Sequence, residues 1–194
     1  MAHYDVFDPG EALNLHVHEL FEGHEIALRR WPLGPIEQRI PAFQIFAIGP
    51  GPRFGGWSYL TSGCWKATAQ HQHGLEFILS TNGDDMRHLE VLTVLAYFHA
   101  GPESQRLDLG HTTTIGESWM PGSRCDSMLI ALPYAYGADL ETCAWNTGHA
   151  RILTALPITS AERDLKINQS VEALEQRLED AGADFSNPMR SSTV

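Results

Sequence analysis

The chain carries ten histidines and three cysteines, side chains that bind metals and, as thiolates, attack electrophiles. His71-Gln72-His73 has the most useful spacing, because alternate residues of a strand face the same way and would offer two imidazoles to one ion. No HxxxH, HExxH or acidic partner completes that set, so ordinary turn histidines are the simpler reading. His16-Val17-His18 falls on a proposed helix, where residues two apart point to different sides. His111 and His149 stand alone. Cys64, in Gly63-Cys64-Trp65, looks exposed and is the candidate nucleophile, yet nothing in the sequence assigns it a base and there is no G-x-S-x-G elbow. Gly49-Pro50-Gly51-Pro52 lacks the Gly-Lys-Ser/Thr ending of a phosphate loop, and its prolines remove the amides such a loop uses. Asp84-Asp85 reads as charge at a helix N-terminus. No catalytic constellation is complete. The expectation is a non-enzymatic protein without metal or cofactor; the alternative is a metal- or thiol-dependent enzyme using His71, His73 or Cys64.

The remaining candidates are aromatic. Trp31, Trp57, Trp65, Trp119 and Trp145 are many for this length, and Trp anchors dominate protein interfaces, although core packing is their commoner role. Trp119, in Ser118-Trp119-Met120-Pro121-Gly122-Ser123, falls in a loop beside Met and Pro and is the first interface candidate, with Met120 next to it. Trp57 and Tyr59 are the others.

Stepping along the chain, Glu11 to Glu22 reads as a helix closed by Gly23, and residues 25–31 and 42–48 as strands bounded by prolines. Residues 49–56 form a turn-rich loop. Strands follow at 57–61 and 74–80, then a helix from Met86 to Ala100 stopped by Gly101-Pro102. Strands near 109–115, 127–132, 141–146 and 149–156 precede helices at about 160–168 and 170–181. Pro157 cannot donate to a ladder and is expected to end the last strand. Thr159 followed by Glu162 is a capping box. Arg190, in the tail after Pro188, is placed to pair with an acidic group on the body. The order is α+β: a mixed, mostly antiparallel sheet with packed helices, expected to form one domain over residues 1–194.

Composition narrows the function. Hydrophobic residues make up 43% and charged residues 19%, ordinary values for a globular chain. Cys64, Cys125 and Cys143 are odd in number and widely spaced, which fits three reduced thiols. The net charge of −11 argues against nucleic acid and suits a basic protein partner. No apolar run approaches the ~20 residues that span a bilayer, and the acidic start (Asp5, Asp8, Glu11, Glu19) is unlike a leader. The chain is therefore expected to be soluble and cytoplasmic.

Several of these segments together resemble the Suppressor of fused family. They are Trp57-Ser58-Tyr59-Leu60-Thr61-Ser62-Gly63, Leu75-Glu76-Phe77-Ile78-Leu79, Leu109-Gly110-His111-Thr112, Trp119-Met120-Pro121-Gly122-Ser123, the Pro157-Ile158-Thr159 junction with Glu162, and the tail Asn187-Pro188-Met189-Arg190-Ser191-Ser192. The resemblance covers residues 57–194, while residues 1–50, a helix and strands, match poorly. It implies that Thr61, Gly63, Pro157, Thr159, Glu162 and Arg190 belong to the family's structural motifs. It further implies a protein-binding domain. Animal relatives sequester transcription factors, and short bacterial relatives are thought to act as immunity proteins that neutralise a toxin. The length is expected to match one such bacterial domain, whose partner would be a basic toxin domain or a regulatory protein.

Overall fold

A computed structural model of the chain describes residues 2–68 and 73–194, with His73 described through its backbone alone. In chain order the elements are β1 (Ala2–Tyr4), α1 (Pro9–Leu20), β2 (Ile26–Arg29), α2 (Ile36–Arg39), β3 (Gln44–Ile48), β4 (Trp57–Ser62) and β5 (His73–Thr81). There follow α3 (Met86–His99), β6 (Thr112–Thr114), β7 (Cys125–Ala131), β8 (Thr142–Trp145), β9 (Gly148–Thr159), α4 (Ser160–Asn168) and α5 (Val171–Asp180). All strands join one nine-stranded sheet along the path β1-β8-β9-β5-β4-β3-β2, with β6 and β7 branching from β9. Six pairings are antiparallel; β1–β8 and β5–β9 are parallel. The sheet is mixed and mostly antiparallel.

Both faces of the central strands are covered, which is why they read as continuous apolar runs instead of alternating ones. Ile45, Ala47, Tyr59, Phe77, Leu79 and Leu153 face α3 and pack with Leu89, Leu92, Leu95 and Ala96. Their neighbours Phe46, Ile48, Leu60, Ile78 and Ile152 face the other way, onto Ala12, Leu13, Val17 and Phe21. A third cluster joins Leu129, Ala131 and Ile158 to Leu174 and Leu178 of α5.

The helix signals in the sequence act as caps. Asp8 accepts from the Glu11 amide and Pro9 opens α1, so this helix starts two residues before Glu11. Gly23, with φ +82°, turns the chain after it. Asp85 caps α3, Thr159 and Glu162 form a complete capping box on α4, and Ser170 caps α5. Two short elements, β1 and α2, carry no periodic signal of their own.

β9 does not stop at Pro157. It continues to Thr159, with Pro157 opposite Met128 of β7. The pairing of β5 with β9 ends at Thr154, so beyond that point β9 has a ladder on one side only. The Pro157 carbonyl accepts from Arg190 instead of from β7. The missing N–H faces away from β7, and the ladder loses nothing.

Phe77 is fully buried between α3 and the sheet, whereas Val94 on the same helix is 44% exposed. Phe77→Ala is expected to lower unfolding free energy in urea by about 3–5 kcal/mol, and Val94→Ala by less than about 1. Equal losses at both positions would contradict this packing.

Candidate functional site

At the end of β4 the paired register with β5 stops at Leu60 opposite Ile78. The Thr61 hydroxyl then takes over, accepting from the Phe77 amide at 2.8 Å and donating to the Glu76 carboxylate. Gly63 follows with φ +108°, a left-handed conformation that L side chains rarely adopt. That turn aims the Gly63 and Trp65 amides at Glu76 Oε1, at 3.0 and 3.1 Å. Gly74 lies against this turn: a Cβ there would stand 2.5 Å from the Trp65 Cβ. Glu76 is therefore a fully buried carboxyl held by a hydroxyl and backbone amides, with no ion pair among the described residues. Burial pushes it up to about 7, against the pull of the Thr61, Trp65, Gly63 and Cys64 donors.

Cys64 sits inside the same turn and is fully buried, not exposed. Burial, and then the nearby Glu76, push its thiol far above the ordinary range, the opposite of what a thiolate nucleophile requires. This removes the thiol-enzyme reading of Cys64. His71 lies outside the described residues, and His73 is placed only as the first residue of β5, in register with His149. On α1, His16 is buried, with Tyr4 Oη at Nδ1 and the Leu140 carbonyl at Nε2, while His18 is exposed.

The aromatic candidates divide. Trp119 is completely buried, and its indole N–H donates to His88 Nδ1 at 3.1 Å. The loop carrying it is fastened by Arg87, which donates to the carbonyls of Ser118 and Trp119. With Nδ1 accepting, the His88 proton is on Nε2, and burial holds this imidazole below its ordinary value. Trp119 is thus a core residue, not a surface anchor. Tyr59 is likewise fully buried, its hydroxyl donating to Asp84, which also pairs with Arg29 at 2.7 Å. Trp57 stays half-buried, stacked on Tyr59 at 6.3 Å with the Arg29 guanidinium over its ring at 5.5 Å. Met120 is half-buried at a hollow of about 540 Å³ that it shares with Asp85, Arg87, Glu117 and Pro121.

The tail is held by a second buried glutamate. Arg190 donates to both Glu162 oxygens, Nη1 to Oε1 at 2.8 Å and Nη2 to Oε2 at 2.6 Å. The Thr159 and Thr193 amides also donate to Glu162, at 2.8 and 2.9 Å. Burial alone would raise Glu162, but these donors, Arg190 foremost, hold it down near 2. Glu162 was legible only as a cap; its partnership with Arg190 depends on the fold.

The Suppressor of fused protein (SUFU) family pattern matches residues 40–191. The chain belongs to the Suppressor of fused family. A SUFU homologue of Neisseria gonorrhoeae FA 1090 is similar at 33% identity and TM-score 0.82, over 96% of this chain and 97% of that one. A chain of the Sufu–Fu complex is similar at 11% identity and TM-score 0.69, over 95% of this chain and 92% of that one. Drosophila Suppressor of Fused gives 12% identity and TM-score 0.60; the present chain covers 51% of it, with 95% of its own length matched. The last two show the SUFU fold alone. No curated protein sequence matches the chain. The family pattern takes in β3, and the likeness to the Neisseria homologue, over 96% of the chain, reaches back into α1 and β2. Among the described residues no helix is long and apolar enough to cross a membrane, and no group of three or more His, Cys, Asp or Glu could hold a metal ion.

Two stability profiles follow from the two glutamates. Between the ordinary 4.5 and about 7, folded Glu76 keeps a proton that the unfolded chain has lost. Stability therefore falls as pH rises through this window, by up to about 3 kcal/mol, and Glu76→Gln is expected to flatten that slope in chemical denaturation. Glu162 acts with the opposite sign: its contribution is full above 4.5 and is lost as pH falls toward 2. Arg190→Met strands the buried Glu162 carboxylate and is expected to cost about 3–5 kcal/mol at neutral pH. A neutral Arg190→Met would contradict the pairing.

Proposed function

We propose that this SUFU-family protein is a non-enzymatic protein-binding domain that acts in the cytoplasm by occluding the active surface of a basic partner, as an immunity protein does to a toxin. The observation that carries the reading is the match of 95% of the chain to a chain of the Sufu–Fu complex, together with a net charge of −11. The relative occurs in a complex with a protein, and the charge here selects a partner of opposite sign. An acidic surface raises the association rate toward such a partner, while desolvated aromatic and apolar contacts set the lifetime. Cys64, the candidate nucleophile, is completely buried.

The test is affinity capture from the native lysate at low salt, followed by binding kinetics with the recovered protein. The expected result is one dominant basic protein carrying a toxic domain, whose lethality on expression is suppressed by this chain. Its association rate should fall at least about tenfold between low salt and 0.5 M, with dissociation little changed. An association rate indifferent to salt would remove the electrostatic steering, and undiminished lethality in the presence of this chain would remove the immunity role.

A further inference from the structure

Beyond Thr154, β5 no longer pairs with β9, and the apolar surface of β9 is covered by α5 and the tail only in part. What remains open is a hollow of about 750 Å³, within the ~300–1,000 Å³ span of built binding sites. Ala131 and Leu156 come to it from the sheet, Leu178 from α5, Phe185 from the tail, and Phe54 and Tyr134 from two loops. Tyr134 is 73% exposed, an aromatic ring left in water beside an apolar surface.

The rim is acidic. Glu175 and Glu179 lie four residues apart on α5, on one side of the helix, and Asp184 follows in the tail; all three line the hollow. Like charges at this spacing oppose helix formation. Among the described residues none of the three carboxylates meets a cation, although nine ion pairs form elsewhere. Among the described residues the Asp184 carboxylate accepts from the amide and hydroxyl of Ser186. Burial, then Glu172, raise Glu175 above the ordinary carboxylate range, consistent with a charge that lacks its counter-ion.

We propose that this hollow receives an apolar side chain from a segment of a partner protein, whose flanking lysines or arginines pair with Glu175, Glu179 and Asp184. The proposal rests on the protein-binding reading and names the chemistry of what is bound. Fatty acids, phospholipids and nucleic acids all bring anionic groups to a rim that repels them. A second copy of this chain brings a net charge of −11 toward the same rim. A cationic segment with an aromatic or branched aliphatic centre satisfies both parts of the surface.

The probe is a synthetic peptide with a central Leu-Phe pair between Lys-Arg pairs, titrated into ¹⁵N-labelled protein at low salt. Amide shifts are expected to centre on Leu156, Leu178, Ala183 and Phe185. Glu175→Lys with Glu179→Lys should weaken the peptide at least about tenfold, and so should Tyr134→Ser. These three positions are not in the core, so thermal unfolding of the variants should match the parent. A counterpart flanked by Glu-Asp pairs should not bind. No binding by the basic peptide, shifts centred elsewhere, or affinity indifferent to the charge reversal each overturns the proposal. A dimer in sedimentation that Tyr134→Ser dissolves would make the occupant a second copy and also overturn it. If the captured natural partner binds the charge-reversed variant with unchanged affinity, the groove assignment fails while the protein-binding reading stands. If no partner is captured yet the peptide binds as described, the groove stands and the broader reading falls.

Discussion

The ion pair between Glu162 and Arg190 fixes the end of the sheet to everything that follows it. Glu162 is fully buried, so its charge exists only because five hydrogen bonds reach it, two of them from Arg190, the donor that carries positive charge. The same carboxylate closes the capping box that starts α4, and the same guanidinium takes the carbonyl of Pro157. A strand end, a helix start and a tail thus share one electrostatic contact. Replacing such a pair by apolar groups of similar size can be neutral, but removing one member is severe, because the other is left charged without water.

Glu76 solves the same problem without a cation. Its partners are a hydroxyl and backbone amides, none of which carries a charge. One glutamate is locked as an anion and the other is poised near neutrality, and the difference is the presence of Arg190. Both groups tie a strand end to the segment beside it, Glu76 at the β4–β5 junction and Glu162 at the β9–α4 junction.

What was legible in the sequence was local. Thr159 and Glu162 are three residues apart and announce the cap; Gly101-Pro102 and Gly23 mark helix ends; the apolar runs of β3, β4 and β5 stand out because both their faces are buried. What was not legible depends on distant partners. β1 has three residues and is a strand because β8 pairs with it. Trp119 sits in a sequence that reads as an exposed loop, yet His88 accepts its N–H from another element. Cys64 between Gly and Trp reads as an exposed turn, but that turn wraps around Glu76. Pro157 reads as a strand end because the rule against proline concerns the paired side, and no sequence shows which side that is. The groove draws its walls from loops, strands, α5 and tail, so no single segment advertises it.

The parallel seam between β5 and β9 has a kinetic consequence. His73 lies beside His149 and Ile78 beside Thr154, so the middle of the sheet closes only when two distant stretches of chain meet. The β2–β3–β4–β5 meander is built from near neighbours and can assemble first, offering β5 as an unpaired template. Closing a loop of that length carries an entropic penalty that is met before any contact across the seam rewards it. Folding is therefore set by the arrival of β9, on a scale of roughly milliseconds to seconds. Until then the exposed edge of β5 is the surface on which misassembly with another chain would begin.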